Sequence, residues 1–405
     1  MVRGNSAVIV GAGVIGMATA YALARRGLAV TIVDSNAEPA MGTSRANGAQ
    51  LSYCYTDALA NPATLKALPT LLLRRDPAFR LHCRPDWGYL TWLCRFLANC
   101  TPGKFERHTL AGLRLAKKSF TAMNNLMESH NIDFGLRTNG KMHLLDDQQG
   151  LGRASYTINL KKGLCGKQEI VSRDQAIAIE PALKDRESDI AGAIYSPAEQ
   201  VGDPFLFCRE MAALLTETHD VKTRLGHEVV NISPEKAETR IALANGEILT
   251  TDLAIVCAAT SSNRLLAPLG IRLPVEPMKG YSFEMPVGNG SPVTSITDTR
   301  RRLVFTNLGD RMRVAGLADL GDHTPAIRES RLKRLMKLAR QSLPRAGRYD
   351  QASGFWTGLR PMTPDSLPII SHPMPGLAIN TGHGMLGWTM AMGSGERLAE
   401  LVCPD

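Results

Sequence analysis

Residues 7–34 constrain the fold more than any other part of the chain. Ala7-Val-Ile-Val10 suits a buried parallel strand. Gly11-Ala-Gly13-Val-Ile-Gly16 then opens a helix of small and apolar residues, and a second apolar stretch, Ala29 to Val33, ends on Asp34. A GxGxxG run alone is weak evidence, but strand, glycine turn, helix, strand and acid in this order define a dinucleotide-binding βαβ unit. Gly11 permits the tight turn, Gly13 lets a pyrophosphate approach the backbone, and Gly16 lets the helix lie close on the strand. The helix N-terminus, with Val14 and Ile15 in its first turn, faces the anion. Asp34 sits where a carboxylate can accept the hydrogen bonds of a ribose diol.

With 405 residues, 44% of them hydrophobic, the chain can bury a large core divided between two domains. Its N-terminal apolar run is too short to span a bilayer and is already accounted for by the strand and helix, so a cytoplasmic protein is expected. The eight cysteines, Cys54, Cys83, Cys94, Cys100, Cys165, Cys208, Cys257 and Cys403, are scattered without CxxC or a Cys/His cluster. That pattern argues against zinc, iron–sulfur and a disulfide framework, and reads as reduced structural thiols with no metal.

The net charge of +9 is unevenly distributed. Residues 71–120 hold ten basic side chains (Arg74, Arg75, Arg80, Arg84, Arg95, Lys104, Arg107, Arg114, Lys117, Lys118) against Asp76, Asp86 and Glu106, interleaved with Trp87, Tyr89, Trp92 and Phe96. Basic and aromatic residues together suit an anionic membrane face or a docking partner, while a solvated basic surface over a packed aromatic core is the plainer reading. A second basic stripe, Arg328, Arg331, Arg334, Lys337 and Arg340, flanks Ile327, Leu332, Leu335, Met336 and Ala339, and reads as an amphipathic helix with its charges in solvent.

Beyond Asp34, small and polar residues from Ser35 to Ala49 allow the backbone to pass close to a cofactor. Residues 65–130 read as helices broken at Pro69, Pro77, Pro85 and Pro102. Strands are predicted at 140–145 and 191–195, a helix capped by Ser172, a longer helix at 204–219, and a doubly buried strand at Leu253-Ala-Ile-Val-Cys-Ala258. Alternation from Ile271 to Leu317 predicts an antiparallel sheet; a strand at 377–380 and Thr381-Gly-His-Gly-Met-Leu-Gly387, entering a final helix, close the chain. Parallel elements at the start, middle and end with antiparallel segments between them give a mixed α/β (α+β) fold: a Rossmann-like domain with a discontinuous antiparallel-sheet substrate domain. The expected division is 1–75, 150–272 and 345–405 for the cofactor domain, and 76–149 and 273–344 for the substrate domain.

These residues resemble the FAD-dependent amino-acid oxidoreductases of the D-amino-acid oxidase and glycine oxidase superfamily, most nearly the bacterial D-amino-acid dehydrogenases. The likeness runs from about Ala7 to Val402. It rests on the Gly11/Gly13/Gly16/Asp34 set, Ser44-Arg-Ala-Asn-Gly-Ala-Gln50, Trp92 to Cys100, Pro277-Met-Lys-Gly-Tyr-Ser282, Thr357-Gly-Leu-Arg-Pro-Met-Thr-Pro-Asp365 and Asn380-Thr-Gly-His-Gly-Met-Leu-Gly-Trp-Thr-Met390. The resemblance implies FAD, held by Gly11, Gly13, Val14, Ile15, Gly16, Asp34, Ser44, Asn47, Gly48, Val229, Ala259, Gly358, Gly384, Met385 and Leu386. N–H groups at Gly384, Met385 and Leu386 would stabilise negative charge on the reduced ring.

The resemblance also places Arg360 as the arginine that grips a substrate carboxylate, Tyr55 as a phenol on the same carboxylate and His383 at the flavin edge; Tyr281 is recommended only by its position on a strand. Residues 354–372 contain no cysteine, so the flavin is expected to be non-covalent; Ala259 stands where relatives usually have glycine. The implied activity is oxidative deamination of a small amino acid, a D-amino acid or glycine, by hydride transfer from Cα to flavin N5, with electrons passed to a quinone or protein acceptor. An oxygen-using oxidase and a catalytic subunit of a hetero-oligomeric amino-acid or hydrogen-cyanide-forming dehydrogenase remain alternatives. A tRNA-modifying flavin oxidase is a weaker one, since no RNA-binding module is visible and nucleic acid is not favoured as a partner. Peripheral contact with the inner face of the cell membrane through 71–120 is also expected.

Overall fold

The computed structural model describes residues 5–404 except 74, 83 and 237, so Arg74 and Cys83 lie outside the described residues. Six strands form the sheet that organises the molecule. Lys222–Leu225, Ala29–Asp34, Ser6–Val10, Leu253–Val256 and Leu377–Thr381 run parallel in that order across it, and Ile369–Met374 adds an antiparallel edge. The four apolar stretches at 7–10, 29–33, 253–258 and 377–380 are thus neighbours, and their branched side chains are buried on both faces.

The helix Val14–Ala24 lies beneath this sheet, buried on almost every side, and packs on the helix Gly387–Val402. Small residues make that approach close. A methyl at Gly395 would sit 2.5 Å from the Ala18 carbonyl, and one at Gly393 2.5 Å from that of Leu115 in the long helix Pro102–Ser129. A three-stranded antiparallel sheet, Val229–Pro234, Thr239–Leu243 and Ile248–Thr251, supplies a second core cluster with the sheet residues Val8, Val10, Val256 and Ile379.

The second large sheet is mostly antiparallel. Ser353–Met362, Glu276–Pro286, Arg311–Leu320, Leu303–Asn307, Ser295–Asp298, Lys141–Leu145, Gly192–Ser196 and Glu169–Ser172 are successive neighbours, and Phe79–Leu81 pairs with Arg311–Leu320. On strand membership we propose that residues 169–196, which fall inside the cofactor range drawn from the sequence, go with the substrate unit instead. Gly192–Ser196 pairs with Lys141–Leu145, Glu169–Ser172 pairs with Gly192–Ser196, and neither strand has a partner in the parallel sheet.

As the plainer reading of residues 71–120 expects, Tyr89, Trp92 and Phe96 are core residues, leaving Trp87 exposed at 85%. Two local readings are corrected. Pro69 does not break a helix but lies within Pro62–Leu72, close to its C-terminal end. Arg331, read as solvated, is 1% exposed: it bonds Asp319 at 2.5 Å and the carbonyls of Pro77 and Ala78, each at 3.1 Å. Arg334, Lys337 and Arg340 of the same stripe do face solvent.

Candidate active site

A cavity of about 470 Å³ opens at the carboxyl ends of the parallel strands, where Val10, Asp34, Cys257 and Thr381 lead into loops. This is the crevice in which open α/β sheets bind ligands. Gly11 has φ +116°, and a side chain there would meet the Cys257 carbonyl at 2.6 Å. Gly16 is tighter still, since a Cβ would fall 1.8 Å from the Gly11 carbonyl oxygen. Gly13 differs from both: a methyl would touch only the Ser44 hydroxyl, at 3.1 Å, and the position lines the cavity. Val14 N–H donates to Ser44 Oγ at 3.2 Å, and no acid or side-chain cap covers the rest of the first turn, leaving the helix terminus available to a phosphate.

Asp34 is fixed by three donors. Its Oδ2 accepts the Ala12 N–H at 2.8 Å, and its Oδ1 accepts the N–H and the amide of Asn36, both at 2.8 Å. A carboxylate has roughly four acceptor positions, so one remains for a ribose hydroxyl. Ser44, Asn47, Val229, Ala259, Gly358, Gly384 and Met385 line the same cavity. Gly16 and Gly48 do not; Gly16 is buried against the turn, and Gly48 points its missing side chain at Val304 and accepts Thr306 Oγ1 at 2.7 Å. Leu386 is likewise absent from the wall, and its N–H is taken by the His383 carbonyl at 3.1 Å. The second glycine turn therefore offers Gly384 and Met385, with Gly387 and Trp388 beside them, rather than three consecutive donors.

Ala259 adopts φ +48°, a conformation that costs a non-glycine residue about 1–2 kcal/mol. Glycine at this position would relieve the strain and remove a methyl from the wall. Ala259→Gly should raise stability by about 0.5–1 kcal/mol, after glycine's larger unfolding entropy is deducted, and leave FAD affinity equal or tighter. Thermal unfolding and a flavin titration of the apoprotein check both.

Arg360 closes another part of the cavity and is placed by a sheet irregularity. Met278 pairs with Arg360 and Gly280 with Gly358, while the register between Glu276–Pro286 and Arg311–Leu320 slips between Lys279 and Tyr281. Opposite the slip, Leu317 takes φ +60° and turns its carbonyl to the Arg360 guanidinium, which donates at 3.2 Å. The guanidinium lies over Gly280, where even a methyl would come within 2.3 Å. No carboxylate among the described residues pairs with Arg360, and Asp365 instead accepts the Leu367 N–H. Burial draws its pKa down to about 10, opposed by the negative charge of Asp319, so it remains a cation at neutral pH with most of its five donors uncommitted.

His383 also lines the cavity. Its Nε2 lies 2.7 Å from Ser394 Oγ, whose proton goes to Asn380 Oδ1 at 2.6 Å. That order assigns the Nε2–H tautomer and leaves Nδ1 as an acceptor. Burial holds the ring neutral, with its pKa near 3. Two expected ligands lie elsewhere. Tyr55 is outside the wall; its hydroxyl donates to the Ile194 carbonyl at 3.2 Å, accepts Ser196 Oγ at 3.1 Å, and its ring stacks on His143 at 4.0 Å. Tyr281 is buried with its hydroxyl on Asp319 at 3.2 Å.

Sequence reasoning missed Met41, Gly42 and Thr43 in the wall, although the loop's small residues marked it. Thr43 Oγ1 donates to the Leu359 carbonyl at 2.8 Å and pins that loop to the Arg360 strand. Trp356, Thr357 and Arg264 were missed as well, the last paired with Glu228 at 2.8 Å.

A glycine turn, a ribose-directed acid and a second glycine turn around one cavity define a dinucleotide-dependent oxidoreductase. The chain belongs to the FAD dependent oxidoreductase family, whose model matches residues 6–401. It is 37% identical over 405 aligned residues to D-amino acid dehydrogenase 2 of Ralstonia nicotianae, covering 97% of this chain and 95% of that one. It is also 37% identical to D-amino acid dehydrogenase of Xylella fastidiosa (98% and 91% covered). Among solved structures it is similar to glycine oxidase from Geobacillus kaustophilus, with TM-score 0.75, 21% identity and coverage of 98% and 94%. L-proline dehydrogenase from P. horikoshii follows with TM-score 0.74, 18% identity and coverage of 99% and 93%. FAD is the cofactor, and the cavity suits it: Gly13 and Gly358 remove side chains from the wall, the helix terminus is open, and Asp34 retains an acceptor.

Proposed function

We propose that this protein deaminates an amino acid oxidatively, with D-amino acids as the substrate class. The observation that carries the reading is Arg360, a buried cation in the cavity wall whose fork has a single protein acceptor. A planar guanidinium with free donors matches a carboxylate through two parallel charge-assisted bonds. The D-configuration is supported by the names of the 37%-identical relatives. Bound FAD supplies the two-electron acceptor for the Cα hydride, and water converts the resulting imine to a 2-oxo acid and ammonia. The chain's own part is to hold the carboxylate. Among the described lining residues none is a ready general base near Arg360: burial makes the His383 ring resist protonation, and the acids Asp34 and Glu228 are committed to the glycine turn and to Arg264. The substrate amine therefore loses its proton to solvent.

Anaerobic mixing of the holoprotein with D- and L-amino acids, glycine and sarcosine tests this. D-amino acids should bleach the flavin absorbance, whereas bleaching by L-amino acids alone would overturn the assignment of configuration. Oxygen uptake equal to turnover without an added acceptor would identify an oxidase.

The electron acceptor is proposed to be reached at a membrane. No helix among the described residues is long and apolar enough to cross one. Support comes from the helix Pro62–Leu72, which buries none of its residues despite its sequence PATLKALPTLL. With Leu73, 62% exposed, and Trp87, it presents apolar groups in a segment that also exposes Arg75 and Arg95. Apolar side chains beside cations suit an interfacial site on anionic lipid. The triple variant Leu72→Ser/Leu73→Ser/Trp87→Ser should lose cosedimentation with phosphatidylglycerol vesicles while keeping dye-linked turnover; undiminished cosedimentation would remove this face from consideration.

A further inference from the structure

Two cysteines separated by 111 positions in sequence lie together in the fold, outside the cofactor cavity. Cys54 immediately precedes Tyr55, and its sulfur rests on Gly166, 4.0 Å from that residue's carbonyl oxygen. Even a methyl on Gly166 would be 3.9 Å from the Cys54 sulfur. Cys165, the preceding residue, follows the helix Gln148–Lys161, and its thiol lies 3.6 Å from the Lys161 carbonyl. The Cys54 S–H is directed at the Gly166 carbonyl and the Cys165 S–H at the Lys161 carbonyl, which leaves the two sulfurs neighbours close enough for each to shift the other's titration.

Their surroundings make them unequal. Cys54 is buried, its thiol pushed up by the neighbouring Cys165 sulfur, by burial and by the Glu199 carboxylate. Cys165 is half-buried, its thiol pulled down by the neighbouring Cys54 thiol and by the Lys161 ammonium. Lys161 is anchored in turn, bonding the Cys54 carbonyl at 2.8 Å and Asp57 at 3.0 Å. An accessible low-pKa sulfur beside a buried thiol is the arrangement of an attacking and a resolving cysteine. Among the other described cysteines, three show the contrast. Cys94 is exposed without a described thiol partner, and Cys208 and Cys257 are buried with thiols raised by desolvation.

We propose that Cys54 and Cys165 form a redox-active pair that closes to an intramolecular disulfide on exposure to hydrogen peroxide. The Cys165 thiolate attacks one peroxide oxygen, the O–O bond breaks, and with one proton the products are a sulfenic acid and water. The Cys54 sulfur then attacks the sulfenic sulfur, the S–O bond breaks, and the Cys54 proton leaves with hydroxide as a second water. Two thiols are oxidised by two electrons and one peroxide is reduced to two waters. The bond would tie the 52–57 loop to the end of the helix Gln148–Lys161, a long-range closure that restrains the unfolded chain.

Purified holoprotein, titrated with hydrogen peroxide, alkylated and mapped without reduction, gives the test. The expected product is a peptide pair joining residues 54 and 165, two hydrogens lighter than its thiols, reversed by dithiothreitol and accompanied by a higher melting temperature. Cys54→Ser should instead leave Cys165 reactive to dimedone, and Cys165→Ser should give neither product. The proposal is overturned if Cys54 and Cys165 are still both alkylated at peroxide levels that oxidise the exposed Cys94, or if Cys165→Ser leaves the oxidation of Cys54 unchanged. Either variant that folds suffices, because the wild-type map reports the bond directly.

Discussion

Replacing Arg360 by methionine is expected to lower kcat/KM for the preferred amino acid on the order of 30- to 5,000-fold without loss of stability. The first part follows from the cost of stranding a desolvated carboxylate, about 2–5 kcal/mol when one partner of a buried charged pair is truncated. The second follows because no carboxylate among the described residues pairs with Arg360, so that removing this buried cation takes away a desolvation penalty rather than a bridge. A structural arginine would show the reverse pattern, with a lower melting temperature and modest kinetic change. Arg360→Lys keeps the charge and loses the fork, so it should recover part of the affinity only.

The pH dependence separates Arg360 from the substrate amine. The cation exists below its pKa of about 10 and disappears above it, so carboxylate binding is present at neutral pH and lost as pH rises through 10. Propanoate has no amine, and its inhibition constant should rise above pH 10 in the parent protein and stay flat in Arg360→Met. An inhibition constant equal in the parent and in Arg360→Met at neutral pH would place the carboxylate elsewhere, whereas a flat profile in both with a weaker constant in Arg360→Met would mean that the guanidinium keeps its proton through this range.

What the sequence revealed divides along locality. The glycine turn and Asp34 were legible because their geometry is fixed within one βαβ unit, where spacing alone decides which atoms meet. Arg360 was legible through the motif around it, but its support was not. The Leu317 carbonyl is turned toward it by a register slip between two other strands, and no spacing in the chain announces that. Arg331 was misread for a related reason. On its own helix it continues a solvated stripe, yet its partner Asp319 is on a strand buried beneath that helix, and one buried acid reverses the meaning of the pattern. Tyr55 differs again: its place in the sequence fits a ligand, and the fold sets its hydroxyl against Ser196 and the Ile194 carbonyl, with His143 and Lys141 beside its ring, which no spacing in the chain announces. Cys54 and Cys165 had no local signature at all.

The glycines of the turn give the other large effect, and they should fail in two distinct ways. Gly16→Ala forces a methyl to within 1.8 Å of the Gly11 backbone oxygen, on a residue whose N–H is tied to the Val33 carbonyl of the parallel sheet, so no flexible side chain can yield. The helix Val14–Ala24 would have to lift from the sheet and from the Gly387–Val402 helix together, at about 3 kcal/mol or more. Gly16→Ala should therefore purify poorly, without flavin, and melt roughly 5–10 °C lower even as apoprotein. Gly13→Ala adds the same methyl where the Ser44 hydroxyl is its sole neighbour, so the apoprotein should unfold as the parent does. Its methyl occupies cavity space, and overpacking of about 1–3 kcal/mol would weaken FAD binding roughly 5- to 150-fold. Apoprotein melting and flavin titration of both variants decide the matter. If Gly13→Ala destabilises the apoprotein as much as Gly16→Ala, then Gly13 serves packing; if it binds FAD as tightly as the parent, the pyrophosphate does not pass over this turn.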